Sequence, residues 1–226
     1  MSQIITASEN EARLRKPRVG FKIIIAACVV LMIASAVLLV AGLHGFAGTT
    51  EYAPAPALSA PFNASEPDQF EGDTTAPKLP AMTLAIPAVG LEIPLVLAGT
   101  NVQGGLDIPE STHAAIYDKA AALKATQGST LIAGHVNFAN AAPAPMADIA
   151  KITKGTPIFV SDEKGTVQRF KAIAATEYTK KKLPDAFFSA KGARQLVLLT
   201  CGGPIGELEG KLSYLNNTAI TALPWP

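Results

Sequence analysis

The spacing of apolar and polar residues changes character twice along the chain. From Ile23 to Leu43 the residues are almost wholly aliphatic and none is charged. As a helix that run extends roughly 30 Å at about 1.5 Å per residue, the thickness of a bilayer's hydrocarbon core. It also lacks the polar stripe of a helix packed on a soluble core. From Glu51 to Pro80 no period survives: Pro54, Pro56, Pro61, Pro67, Pro77 and Pro80 stand among Ala, Ser, Thr and acidic residues. Such a stretch buries little and does not recover its ordering entropy, which predicts a semi-extended tether. From about Ala81 onward come short apolar or alternating runs divided by Gly and Pro: Met82–Ile86, Leu91–Ala98, Ser129–Val136, Thr156–Asp162, Val167–Thr179, Gln195–Cys201 and Tyr214–Leu223. These predict an all-β domain, a barrel or a sandwich. Gln195–Cys201, apolar nearly throughout, reads as a strand buried on both faces. Helical signal is confined to Met146–Ile152 and Pro184–Phe188, the latter with Pro at a helix start. No internal repeat is visible.

Charge fixes the expected orientation of the apolar run. Arg13, Arg15, Lys16, Arg18 and Lys22 precede it, whereas residues 44–77 contain no Lys or Arg and carry Glu51, Glu66, Asp68, Glu71 and Asp73. The basic side stays in the cytoplasm, so the β-domain is expected outside, on a single-pass membrane anchor. A cleaved signal peptide is the competing reading; the run is long for one, although Ala41 and Ala47 are small enough for a peptidase. The expected organisation is a basic cytoplasmic segment at 1–22, a transmembrane helix at 23–43, a Pro-rich linker at 44–80 and a domain at 81–226. The formal net charge of +1 gives no support to a nucleic-acid partner.

The chain has two cysteines. Cys28 lies inside the apolar run and reads as a small apolar filler. Cys201 is then a lone thiol in a compartment that usually pairs its cysteines. It follows the run Leu196-Val197-Leu198-Leu199-Thr200 and precedes Gly202-Gly203. A second segment is built alike: Ser129-Thr130-Leu131-Ile132-Ala133-Gly134, then His135-Val136-Asn137. Each is an apolar strand, a small residue and a reactive side chain at the strand end, where a rigid sheet leaves it little positional freedom. Gly134 and Gly202-Gly203 are expected to leave room for a substrate backbone. An imidazole beside a thiol supplies the acid–base partner that nucleophilic catalysis needs. An isolated Cys or His in a β-domain is more often structural, and His113, in a loop after Pro109, is read that way. For Cys201 and His135 the matching context decides otherwise. Scattered ligands exclude a zinc site, Asp107, Asp118, Asp148 and Asp162 are too dispersed for a calcium loop, and no cofactor is expected. Lys180-Lys181-Lys182 reads as a solvated loop.

Three blocks together resemble the sortase family: Leu131-Ile132-Ala133-Gly134-His135, Leu198-Leu199-Thr200-Cys201-Gly202-Gly203 and Tyr214-Leu215-Asn216-Asn217. Leu84-Ala85-Ile86-Pro87-Ala88-Val89-Gly90-Leu91 resembles the family's opening strand and turn. The likeness runs from Thr83 to Ala222 and is greatest to the actinobacterial class F branch. It implies an eight-stranded β-barrel with short helices, behind one N-terminal transmembrane helix. It also implies cysteine transpeptidation of surface proteins bearing a Leu-Pro-x-Thr-Gly-type sorting signal. Cys201 is then the nucleophile, His135 the general acid, and a cell-wall peptide amine the acceptor. Thr200 and Gly202 are expected to touch substrate. The family's third catalytic residue is an arginine on the last strand; here Asn217 stands in its place, and no Arg or Lys follows Lys211. Arg194 and Arg169 are other sources of a cation, each read as a solvated surface residue. A peptidase without transfer activity, or a non-catalytic binding domain of the same build, are the alternatives. L,D-transpeptidases keep His and Cys in one short motif, absent here, and papain-like proteases place Cys before His in the chain.

Overall fold

A computed structural model describes residues 55–226, apart from 103, 110–111 and 139–141. The expected segments at 1–22 and 23–43 lie outside the described residues, as does Cys28. No helix among the described residues is long and apolar enough to cross a membrane.

The described chain forms β1 (Thr83–Ile86), β2 (Leu91–Ala98), β3 (Ala114–Tyr117), β4 (Ser129–Ala133), β5 (Pro157–Ser161), β6 (Val167–Thr179), β7 (Gln195–Leu208) and β8 (Lys211–Pro224). These eight strands close into a barrel in the order β1-β2-β3-β4-β7-β8-β6-β5. The helical segments are 3-10 turns at Pro87–Val89, Pro145–Lys151 and Asp185–Phe188. The interior follows the two-residue period of strands: Leu84 and Ile86, Ile93 and Leu95, Ile158 and Val160, Leu196 and Leu198, Ile220 and Ala222 all enter one buried cluster. On β4 and β7 the alternate residues are buried too. Leu131, Ala133, Val197 and Leu199 lie outside the barrel under Phe187, beside Ala219 of β8. β4 and β7 run parallel, and a parallel pair covered on both faces has the continuous apolar run seen in the sequence.

Two expectations about extent change. β7 and β8 continue past the Gly202-Gly203-Pro204 break as a hairpin that turns at Glu209-Gly210, both with positive φ (54° and 76°), as a tight primed turn requires. The ladder survives the break because its register shifts between Gly202 and Ile205, a β-bulge that absorbs the extra residues. The Pro-rich stretch is irregular, as its composition requires, but from residue 55 it lies against the barrel instead of standing off. Phe62 is buried in the main core and bridges Ala175, beside the register shift of β6 at Ala172/Ala174. Lys154, itself buried, donates through Nζ to the carbonyls of Ala64 and Glu66, and its own carbonyl accepts from the N–H groups of Gln69 and Phe70. Composition shows how few apolar groups such a stretch has; it does not show that one aromatic ring has a socket.

Asp162, just after β5, is buried. Its Oδ1 accepts from the N–H groups of Lys164 and Thr166, each at 2.8 Å, and its Oδ2 pairs with Lys124. The Lys124 hydrogen bond, ahead of the two backbone donors, holds this carboxyl down at about 2 against the opposing effect of desolvation. A depressed carboxyl contributes stability that is present above its unfolded pKa of about 3.9 and is lost as pH falls through the folded value. The loss of Tm in Asp162→Asn is therefore full near about pH 6, shrinks below about pH 4 and vanishes only below about pH 2, once the folded carboxyl is itself protonated. Thermal melts across that range check this; a deficit unchanged at the acid end would show that the carboxylate charge is not its source.

Candidate active site

The parallel pairing of β4 and β7 sets the geometry. Ser129 stands beside Gln195 and the register runs unbroken to Ala133 beside Leu199. One step further, Gly134 N–H donates to the Leu199 carbonyl at 3.1 Å, and Thr200 Oγ1 donates to the Gly134 carbonyl at 2.8 Å. The next residues on the two chains are His135 and Cys201. Neighbouring strands lie about 4.8 Å apart, so the imidazole and the thiol leave adjacent chains at the same level. On the other side of β7, Cys201 is directly opposite Asn217 of β8, and Asn217 is opposite Tyr178 of β6. A row perpendicular to the strands thus reads His135, Cys201, Asn217, Tyr178, and all four residues are half-buried.

Alternation sends Cys201 the same way as Val197 and Leu199, out of the barrel. The thiol packs against Val136, Ala147 and Tyr214. Down the same outer face, Leu106, Ile108, Tyr178 and Leu183 flank the buried Leu131, Val197 and Leu199. Tyr178 meets Phe187 edge-to-face, with centroids 5.6 Å apart. Rigid strands therefore hold a partly accessible thiol at the head of an apolar surface.

Thr200 and Gly202 serve the scaffold. Thr200 is buried and its hydroxyl is spent on the Gly134 carbonyl. A Cβ on Gly202 would come within 2.3 Å of Thr218 Oγ1, so glycine there admits the neighbouring strand. Gly134 likewise faces Met146, 2.5 Å from where its Cβ would stand. At both glycines the expected room is taken by other parts of the same chain, Thr218 and Met146.

Neither alternative arginine reaches the row. Arg194 precedes Cys201 by seven residues, about 23 Å along a strand. Its guanidinium is half-buried and donates to the carbonyls of Gly128, Leu123 and Gln195 and to Thr130 Oγ1, over the Phe170 ring. Burial lowers its pKa from the usual value. It joins β4 to β7 at the end away from the thiol, where a solvated surface role had been expected. Arg169 donates to the Thr74 carbonyl and lies over Trp225. A cavity of about 380 Å³ between Met82, Leu97, Tyr117, Leu123 and Asp162 also lies toward the Arg194 end. Among the described residues no three His, Cys, Asp or Glu side chains are grouped to hold a metal ion.

Sequence reasoning missed Tyr178, because only the β6–β8 register puts it in line with Asn217. Tyr214 was visible within a family block, but its contacts were not.

A closed eight-stranded barrel with a thiol and an imidazole at the ends of adjacent parallel strands defines the class of protein. The family model described as the sortase domain matches residues 84–222, and the chain belongs to the sortase family. Members of that family with this domain are cysteine transpeptidases acting on sorting-signal proteins and amine nucleophiles. A lid mutant of sortase A from Corynebacterium diphtheriae is similar at 15% identity and TM-score 0.49, over 65% of this chain and 71% of that one. Sortase C1 from Streptococcus suis matches at 12% identity and TM-score 0.49, over 65% and 73%. Sortase C-1 from Actinomyces oris matches at 16% and 0.48, over 64% and 72%. No curated protein matches.

Proposed function

We propose that this chain is a membrane-anchored, class F-like cysteine transpeptidase. The supporting observation is the parallel register that brings His135 and Cys201 to the same level on adjacent strands. Cys201 Sγ attacks the threonine carbonyl of a Leu-Pro-x-Thr-Gly-type sorting signal. His135 donates a proton to the departing glycine amine as the tetrahedral intermediate collapses to a thioester. A cell-wall peptide amine then attacks the thioester, its proton passes to His135, and the C–S bond breaks to expel Cys201 Sγ as the thiolate, which restores the starting pair. The apolar surface below the thiol suits the Leu-Pro portion of such a signal. The basic flank at 13–22 and the apolar run at 23–43 support a location in the cell membrane, with the N-terminus cytoplasmic and the barrel outside.

Asn217 is assigned as an oxyanion donor in place of the family's arginine. It is the cross-strand partner of Cys201, and an amide N–H donates a hydrogen bond without a charge. Losing one such donor costs about 10²–10³ in rate, so Asn217→Ala is expected to lower kcat about 10²-fold. A variant at full rate would remove Asn217 from the site.

Full-length protein in detergent, incubated with a sorting-signal peptide and an amine acceptor, tests the whole assignment by mass spectrometry. The expected result is cleavage after threonine with acceptor-dependent ligated product. Cleavage with no ligated product identifies a hydrolase. Reversible peptide binding with no adduct on Cys201 identifies a binding domain and overturns the enzymatic reading.

A further inference from the structure

Tyr214 is buried on β8, in the hairpin just beyond the Cys201–Asn217 pair. Its ring belongs to the cluster of Val136 and Ala147 against which Cys201 packs. Its hydroxyl donates to Oδ1 of Asn137, two residues after His135. One side chain therefore meets the thiol's apolar wall with its ring and the imidazole's own segment with its hydroxyl.

That segment needs such a hold. The β4–β7 ladder ends where Gly134 N–H meets Leu199, so His135 is the first residue beyond it. Upstream, Gly134 is tied to β7 by that bond and by Thr200 Oγ1. Downstream, Val136 accepts from Ala144 N–H, and Asn137 bridges Pro143. Those downstream bonds lie within the loop itself. The Tyr214–Asn137 hydrogen bond carries the loop across to β8, the strand that also pairs with Cys201. We infer that Tyr214 is a positioning residue: through Asn137 it fixes the backbone carrying His135 relative to the Cys201 thiol. Proton transfer demands this, since errors on the order of 1 Å cost about 10²-fold in rate, and a rigid aromatic side chain in a packed cluster holds position where a loop does not.

The kinetic part of the test rests on the transpeptidase reading; the thiol part does not. Full-length protein in detergent is compared with Tyr214→Phe, which keeps the ring and deletes the hydroxyl, and with Asn137→Ala, which removes the other end of the bond. Alkylation of Cys201 by iodoacetamide is followed across pH, with mass spectrometry resolving that residue from Cys28. In the wild type the profile is expected to carry an inflection that His135→Ala removes. Both variants should displace or abolish it, while the rate at high pH, where the thiol is ionised, stays within about twofold. With a sorting-signal peptide, kcat should fall about tenfold and KM change less than about twofold. The double variant should be no worse than either single one, since both delete the same interaction. Unchanged profiles in both variants, an inflection that His135→Ala leaves in place, or effects that multiply in the double variant would overturn the assignment. Coupling in the alkylation profile of a protein that processes no peptide would support the positioning role and sink the transpeptidase reading.

Discussion

Cys201→Ala is expected to abolish thioester capture and to lower peptide cleavage by at least about 10⁴-fold, because no other group in the row supplies the sulfur that forms the thioester. Asn217 lacks a nucleophile, and His135 unaided would have to activate water at a carbonyl that no sulfur has attacked. The substitution should leave the fold intact. Cys201 is half-buried, outside the barrel, at the edge of a small apolar cluster, and it makes no disulfide. Its replacement by alanine trims a few contacts without opening a core cavity, so the melting temperature should move by only a few degrees. Cleavage of a sorting-signal peptide and trapping of a thiol-reactive analogue, both on full-length protein, provide the measurement. A Cys201→Ala protein that melts like the wild type and still cleaves at a comparable rate would end the case for covalent catalysis here.

The second large effect is at His135. Removing a positioned general acid costs about 10²–10⁴, and His135→Ala should fall in that range for an amide substrate. The role predicts more than a loss. A peptide in which an ester replaces the Thr–Gly amide expels an alkoxide, which depends less on protonation than an amine does. His135→Ala should therefore retain at least about tenfold more of its wild-type rate on the ester than on the amide. Single-turnover release of the leaving group measures both. Equal losses on the two substrates would show that His135 orients or binds without supplying the proton.

The sequence disclosed the elements but not their neighbours. β1, β2, β5 and β6 announce themselves by apolar runs between Gly and Pro. β3 does not: Ala-Ala-Ile-Tyr has only two residues with high strand propensity, and its pairing, parallel to β2 and antiparallel to β4, makes it a strand. β7 and β8 looked shorter than they are because Gly202-Gly203-Pro204 has the composition of a turn, whereas in the barrel it forms a bulge. At the site, Cys201 and His135 were legible because each carries local context. Asn217 was legible only by its place in a family block. The row that joins them depends on which strands lie side by side. β4 and β7 are separated by about sixty residues of chain, and no local pattern records that distance being closed. Arg194 misled for the same reason: a charged residue at a strand entrance reads as solvated until three acceptors from two other segments are found around it.

The buried Phe62 ring moves the start of the folding unit. The family match begins at residue 84 and strand composition at about 81, yet a side chain some twenty residues upstream fills part of the main core. Deleting a buried phenylalanine ring costs about 3–5 kcal/mol, a large share of the 5–15 kcal/mol that a domain typically has. A polypeptide trimmed to the recognisable domain would keep every member of the row and still be left with a hollow beside Ala175. Its weak activity would then report a poorly filled scaffold and say nothing about the chemistry of the thiol.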